Sequence, residues 1–333
     1  MVQNKKIRIA LFLGGTSSER EVSKLSAASI YKALKKLNYE IVLIDPAYGK
    51  NQPKNIDDFF SPGKIFDLSN RNYVEAVNSP LLDDVNIAFL ALHGKWGEDG
   101  TIQSLLDLRG IKYTGSKVLS SAISMDKIMS KILFQHYGVN TPKWLVANKN
   151  SVTSEIIKRI NESFGFPCVI KPNDEGSTVG LTICKTMNDF DAAFNIALQY
   201  SNKVLIEEYI EGRELTVGIL GEEVFPVLEI KPKHELYDYE CKYTHGMSEY
   251  IVPADIPIEI NNILKDQSLK AFKATDCFAY ARIDFRLSKD LTPFCLEVNT
   301  LPGMTSTSLV PKMAKAVGIS FEQLVDRIIT LSL

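Results

Sequence analysis

The chain has 333 residues, 45% hydrophobic and 23% charged, with a formal net charge of −2. This length fits two or three domains with a full core, and the composition is that of an ordinary soluble globular protein with no basis for a nucleic-acid or anionic-membrane partner. The five cysteines are scattered without a CxxC pair, which excludes a zinc site or a disulfide framework and points to a reducing, cytoplasmic compartment.

At the N-terminus, NKK followed by IRIALFLGG imitates a signal peptide. The apolar run is short, is interrupted by Arg8 and leads into the charged SEREVS, so residues 7–13 read instead as a buried strand. No stretch approaches the ~18–20 apolar residues of a membrane span. Gly14 and Gly15 turn the chain into a helix capped by Ser17 or Ser18 that continues to about Leu37. A strand EIVLI follows at 40–44, and 45–80 is rich in Pro, Asn, Asp and Gly, as in loops with one short element. The run NIAFLALHG (86–94) is another buried strand, ending in the glycine-rich turn HGKWGEDG before a helix at about 101–109. Strand–helix alternation of this kind predicts a parallel sheet with covered faces, hence an α/β domain. The turn after the first strand lacks the full GxGxxG, so a nicotinamide reading has no fingerprint. Ligands of such sheets sit at the carboxyl ends of strands, where Glu19 and His93 lie. Each also has a plainer reading, as a first-turn carboxylate complementing the helix dipole and a histidine packed at a strand end.

Residues 121–137 have the pattern of one amphipathic helix, capped by Ser124 or Ser121, closed by Gly138, with Lys127 near its start. A domain boundary is expected within a few residues of 118, and Thr141-Pro142 opens a new unit. The stretch FPCVIKPNDEGSTVGLTIC (166–184) reads as strand CVIK, loop NDEGSTVG and strand GLTIC. The backbone N–H groups of that loop, around Gly176, Ser177 and Thr178, can cover phosphates, with Lys171 as a point charge. The Walker pattern is absent, and a long hairpin turn is the alternative. VLIEEYIEGRELTVGIL (204–220) is a strand, a break near Glu211-Gly212 and a second strand. Its linker can hold a planar purine edge, with Glu207 and Glu214 taking an exocyclic amine and a ribose hydroxyl; solvated glutamates are the alternative. Residues 231–250 carry four tyrosines and many charges without helical or strand period, which predicts a lid with Lys242 and Tyr243 as its working residues. A helix at about 259–274 and a terminal helix near 320–332 complete the pattern.

Between those helices lies the richest stretch, 281–308 (ARIDFRLSKDLTPFCLEVNTLPGMTSTS). ARIDFRL and FCLEVN alternate around the turn SKDLTP, as a hairpin does. Pairing Leu287 with Phe294 would set Asp284 opposite Glu297 and Arg282 opposite Asn299, with Cys295 on their face and Leu296 on the other. Facing carboxylates repel unless something cationic lies between them. Oxygen-only donors of this number suit Mg²⁺ that keeps waters and phosphates in its remaining positions; a merely solvated polar face is the alternative. The following TLPGMTSTS is rich in groups that can hold an oxyanion or carboxylate.

The segments GGTSSEREVS, ALHGKWGEDG, YTGS, SMDK, VIKPNDEGSTVG, LIEEYIEGRE, YDYECKY, ARIDF and LEVNTLPGMTSTSLVP, in that order over nearly the whole chain, resemble the ATP-grasp ligases and among them the D-alanine–D-alanine ligase family. Nothing carries over to 46–80. The resemblance implies an α/β (α+β) ATP-grasp fold: an N-terminal parallel α/β domain (1–118), a central subdomain (119–208) and a C-terminal subdomain (209–333), the last two sandwiching ATP. It implies that Lys127 and Lys171 bind ATP phosphates under the loop around Ser177, that Glu207, Glu208 and Ile210 form the adenine hinge, and that Glu214 holds the ribose. Asp284, Glu297 and Asn299 would be magnesium ligands, for two Mg²⁺ ions with Mn²⁺ as a substitute and a monovalent cation besides. Arg282 and the Gly303 N–H would form an oxyanion site. Glu19 would orient the first D-alanine's ammonium with His93 nearby, Ser308 would bind the second D-alanine's carboxylate, and Lys242 with Tyr243 would close the lid over Glu19 and Ser177. A cytoplasmic homodimer is implied as well. Two other classes compete. A ligase of another carboxylate–amine pair would share the phosphate and metal residues but need not have Glu19, Tyr243 and Ser308; a non-catalytic nucleotide-binding module should have lost a metal ligand or Arg282.

Related ligases that make D-alanyl-D-lactate carry His in the place of Tyr243, where a cation would disfavour a protonated incoming amine. Tyr243→His should therefore raise the ester-to-dipeptide product ratio at lower pH, measured by mass spectrometry with both acceptors present; an unchanged ratio would defeat this reading.

Overall fold

The computed structural model describes residues 7–234, 241, 244 and 246–333. Continuous apolar runs build the first sheet. Strand β1 (Arg8–Phe12) leads through helix α1 (Arg20–Lys36) to β2 (Glu40–Ile44). After α2 (Ile56–Phe60) and α3 (Asn72–Val77), β3 (Ile87–Leu90) joins the sheet and α4 (Thr101–Arg109) follows. The order is β2-β1-β3, all parallel. Both faces of β1 and β3 are covered, so no polar face interrupts their sequence. The 45–80 stretch thus holds two α-helices and a 3-10 turn (Pro46–Tyr48) where one short element was expected. Its apolar anchors, Phe59, Tyr73, Ala76 and Val77, are buried, but runs this short give no readable period. The first helix also differs: it starts after Glu19, which makes no side-chain cap, while the Ser17 hydroxyl accepts from the Glu19 N–H at 3.2 Å.

The single helix expected over 121–137 is two, α5 (Val118–Met125) and α6 (Lys127–His136). Asp126 separates them in an extended conformation, and its carboxylate, rather than Ser121 or Ser124, caps α6 by accepting from Met129 N at 3.0 Å. The break places Lys127 at the first turn of α6.

A second, antiparallel sheet has the order β4-β7-β5-β6. Its strands are β4 (Trp144–Asn148), β5 (Cys168–Pro172), β6 (Thr182–Cys184) and β7 (Lys203–Glu208). Helices α7 (Thr153–Ser163) and α8 (Phe190–Leu198) close a core of their own with it, including Ile156, Ile160, Phe190 and Ile206.

The third sheet runs β11-β10-β8-β12-β13, with β9 paired to β8. Here β8 is Gly212–Leu220, β9 Glu223–Val224, β10 Leu228–Pro232 and β11 Ser248–Ile251. Helix α9 (Ile258–Ala274) precedes β12 (Tyr280–Ser288) and β13 (Pro293–Asn299). The break near Glu211 thus separates strands of two different sheets. The ends of the expected lid are regular: β10 and β11 pair antiparallel, with Lys231 opposite Glu249. Lys242 and Tyr243 lie outside the described residues.

In the β12–β13 hairpin, Asp284 opposes Glu297 and Arg282 opposes Asn299, but Leu287 pairs with Pro293, not Phe294. The register shifts by one residue beside Asp284, a β-bulge. The bulge reverses the alternation in β13. Cys295 turns into the core beneath the sheet and Leu296 turns to the other side, opposite to the faces expected for both.

Helices α10 (Leu309–Ala316) and α11 (Phe321–Ser332) do not stay with the third sheet alone. Val310, Met313, Leu324 and Ile328 belong to the same buried cluster as Ile9, Leu11 and Phe89. Tyr39 OH donates to Asp326 at 2.6 Å, and Lys36 pairs with Glu322 at 2.7 Å. Among the described residues no helix is long and apolar enough to cross a membrane.

Gly212 opens β8 opposite Ser288, where a Cβ would come 1.9 Å from the Leu287 carbonyl oxygen. That oxygen is backbone and cannot move without breaking the ladder. Gly212→Ala should cost roughly 2–4 kcal/mol, read from the midpoint of denaturant unfolding; a loss below about 0.5 kcal/mol would show that the ladder yields.

Candidate active site

The second and third sheets face each other across a cleft with about 1030 Å³ of empty space, partly open to solvent. On one wall, Glu207 is buried on β7 with Lys171 at the end of β5. Each Glu207 oxygen meets one ammonium: Oε1 pairs with Lys131 and Oε2 with Lys171. Burial alone would raise the Glu207 carboxyl, but the two lysine charges outweigh it and hold it below its ordinary value. Burial pulls Lys131 down, against the charge of Glu207.

Lys127 is placed by the end of β5. Its backbone N–H donates to the Asn173 carbonyl at 3.2 Å, and Ile128 N donates to Asn173 Oδ1 at 2.9 Å. The Lys127 ammonium then donates to the Glu175 carbonyl at 2.7 Å and pairs with Glu297 at 3.4 Å. The loop between β5 and β6 folds over the cleft with Ser177 and Thr178 in left-handed conformations (φ 47° and 65°), which non-glycine residues hold only when their surroundings insist. The Ser177 hydroxyl donates to Glu19 Oε1 across 158 residues of chain.

At the connection to β8, Glu208 faces Lys143, whose N–H donates to its Oε2 at 3.4 Å. The Ile210 carbonyl accepts from Arg286 Nε at 3.2 Å, and the same guanidinium pairs with Glu214 at 3.4 Å.

The opposing wall carries the oxygen donors. Asp284 Oδ1 accepts from the Thr216 hydroxyl at 2.7 Å and from Arg282 Nε at 2.9 Å. Its Oδ2 accepts from Arg282 at 2.8 Å and from the Asn299 amide at 3.0 Å. Among the described residues no three His, Cys, Asp or Glu side chains cluster as a metal centre; this face carries two carboxylates and the Asn299 amide, whose nitrogen donates to Asp284.

The mouth of the cleft is built from the first sheet. A Cβ on either Gly94 or Gly176 would come 2.8 Å from Glu19 Oε2, so the two glycines leave room for this carboxylate. His93 is buried beside it, its Nε2 3.0 Å from the Ser26 hydroxyl. Burial lowers the imidazole, against the Glu19 charge and a hydrogen bond to the Leu301 backbone. Glu98 accepts from Gly94 N at 2.7 Å, and burial, then the Glu19 charge, raise its carboxyl well above the ordinary value. Ser308 stands at the N-cap position of α10 without a side-chain cap, and its hydroxyl lies 2.7 Å from that of Thr305. A Cβ on Gly303 would meet the Ser308 hydroxyl at 3.3 Å.

The structure therefore brings Lys127, Lys171, Ser177, Glu207, Glu208, Ile210 and Glu214 to one cleft with Arg282, Asp284 and Glu297, and sets Glu19 against Ser177. Asn299 joins them through Asp284, while Gly303 and Ser308 adjoin each other in the turn before α10. Sequence reasoning passed over Lys131, Arg286 and Glu98. Arg286 was visible on the polar face of ARIDFRL, and Glu98 in HGKWGEDG. Lys131, four residues after Lys127, looks like any solvated helix lysine.

The family described as D-ala D-ala ligase N-terminus matches residues 8–116, and that described as D-ala D-ala ligase C-terminus matches 133–330. A D-alanine–D-alanine ligase of Pseudothermotoga lettingae is 42% identical over 327 residues, 97% of this chain and 98% of that one. The crystal structure of the Bacillus anthracis D-alanine–D-alanine ligase complexed with ATP is similar with a TM-score of 0.79 and 34% identity, covering 98% and 97% of the two chains. That of the VanG D-Ala:D-Ser ligase from Enterococcus faecalis is similar with a TM-score of 0.82 and 30% identity, covering 99% and 100%. With both halves matched and this identity sustained along its length, the chain belongs to the D-alanine–D-alanine ligase family and has the ATP-grasp fold.

Proposed function

We propose that this chain joins two D-alanine molecules into D-alanyl-D-alanine at the expense of ATP, for peptidoglycan precursors, through an acyl phosphate. The observation that carries the reading is the contact between Ser177 and Glu19. It sets a carboxylate able to bind an amino acid's ammonium against the loop that covers the cleft holding Lys127 and Lys171. A carboxyl group and a terminal phosphate would meet at that junction.

The carboxylate of the first D-alanine attacks the γ-phosphorus and ADP leaves. Lys127 and Lys171 stabilise the transferring charge, with the Ser177 loop above them. Glu207, Glu208 and Ile210 border the adenine, and Glu214 accepts from a ribose hydroxyl. Glu19 holds the first ammonium, with His93 behind it. The amine of the second D-alanine, its carboxylate at Ser308, then attacks the acyl carbon, and phosphate leaves. Arg282 and the Gly303 N–H stabilise the oxyanion formed on the way. Lys242 and Tyr243 belong to the closing lid, which excludes the water that would hydrolyse the acyl phosphate.

Asp284, Glu297 and Asn299 would hold Mg²⁺. Their oxygen donors fit a hard cation, and in this structure the facing carboxylates draw Arg282 and Lys127 to themselves, a demand for positive charge that a divalent ion meets. Bound there, the ion would supply charge that screens the phosphate oxygens. A second Mg²⁺, substitution by Mn²⁺ and a monovalent cation belong to the same proposal, as do the cytoplasmic homodimer and the division at 118 and 208. Each of the three sheets falls within one of those segments, which supports the division.

The reaction is tested by phosphate release from ATP with Mg²⁺, adding D-alanine, L-alanine or D-lactate singly and D-alanine paired with each, with products identified by mass. Release that depends on D-alanine, with D-alanyl-D-alanine as product, is expected; ATP binding without D-alanine dependence would sink the substrate assignment.

Gly176→Ala would push a methyl group to 2.8 Å from Glu19 Oε2. We expect kcat/KM for D-alanine to fall about tenfold, ~1.4 kcal/mol, with an unchanged melting temperature. Unaltered kinetics would remove Glu19 from the site.

A further inference from the structure

Lys131 is an amine placed where water cannot reach it, paired with a carboxylate. Its side chain is 0% exposed, it lies behind the cleft wall on α6, and it is absent from the cleft's lining. Its ammonium pairs with Glu207 and donates to the Thr141 hydroxyl at 2.5 Å, which in turn donates to the Cys295 carbonyl at 2.8 Å on β13. Lys131 therefore ties the glutamate of the second sheet to the backbone of the third.

Burying an ammonium is costly unless its charge is needed. Compensation of Glu207 does not require it, because Lys171 already pairs with the other carboxylate oxygen. One lysine and one glutamate would be neutral, and a methionine of similar volume would fill the place of Lys131. With Lys131 present, two ammoniums share one carboxylate and the group keeps a net charge of +1 against the cleft.

Resting on the nucleotide reading of this cleft, we infer that Lys131 is a positioning residue for the polyphosphate. It shares Glu207, so that the carboxylate does not neutralise Lys171 alone and the Lys171 ammonium stays anchored at the cleft wall. Phosphates never touch Lys131; they feel it through Glu207 and Lys171. Glu207 also borders the adenine, so the phosphate effect is read as the ratio of ADP to adenosine affinity, in which a change at the base cancels.

The test compares equilibrium binding of ADP and of adenosine by the full-length protein, using the ratio of their affinities. Lys131→Met should lower that ratio about tenfold by removing one unit charge near the phosphates, with the KM for D-alanine unchanged. Adding Glu207→Gln to Lys131→Met restores the net charge and should return most of the ratio, whereas damage to packing would compound. If Lys131→Met alone does not fold, Glu207→Gln in the wild-type background is decisive: a ratio at or above wild type supports the inference, and a lower one overturns it. An unchanged ratio in Lys131→Met, or equal losses for ADP and adenosine, also overturns it. Failure of the wild-type protein to bind ADP would instead reject the nucleotide reading itself.

Discussion

Two carboxylates, Asp284 and Glu297, face each other across an antiparallel hairpin, and much of the cleft is arranged around that repulsion. Directly opposed like charges destabilise a sheet unless cations intervene. One cation comes from the same strand: Arg282 grips both oxygens of Asp284. The other must come from elsewhere, and Lys127 reaches Glu297 only because α6 begins at Asp126 and is pinned to the end of β5 by Asn173. The break between α5 and α6 and the docking of one sheet's strand end beside another sheet's hairpin therefore serve a single electrostatic requirement. The opposite wall repeats the pattern with signs exchanged, two lysines sharing Glu207. The cleft is lined by charges of both signs that pair with one another on and between its walls.

Much of this was legible beforehand because it depends on short-range pattern. Alternation in ARIDF and LEVN put Arg282, Asp284, Glu297 and Asn299 on one face, and the buried runs around Leu11 and Phe89 marked a parallel sheet. What escaped was whatever a local period cannot encode. The bulge beside Asp284 inserts one residue, so Cys295 and Leu296 exchanged faces while the pairs nearer the cleft kept theirs. Alternation counts residues and assumes that each has a partner. Asp126 ended one helix and capped the next inside a stretch whose apolar spacing is continuous, so a cap signal lost to periodicity. Lys131 could not be told from a surface lysine, since its burial depends on β7 and β13 arriving from far along the chain. The contact of Ser177 with Glu19 is equally non-local, and only the resemblance to a family linked the two in advance.

The cores do not follow the order of the chain. The second sheet encloses its apolar side chains alone, with α7 and α8. The first sheet shares its cluster with α10 and α11, from the last residues of the sequence. The walls of the cleft thus belong to bodies of unequal connection: a block made of both ends of the chain, and a middle segment with its own interior. Residues that reach between them, such as Lys127 to Glu297 and Ser177 to Glu19, are few and polar, so they set the geometry of the site without fusing the two interiors.

The docking of α11 onto the first sheet also bears on how the protein is made. The Gly115 N–H finds the Ser332 hydroxyl at 3.4 Å, and Leu324 and Ile328 complete the cluster around Ile9 and Leu11. On the ribosome, the opening hundred residues emerge long before the segment that finishes their interior. Until α11 has emerged, that nascent sheet shows an apolar flank to solvent, whereas the middle segment can bury its own as soon as it is out. Contacts of such sequence separation are slow to close and expose the chain to aggregation meanwhile. Translation that stops short of the last helix would therefore leave not a shortened enzyme but a polypeptide for chaperones and proteases.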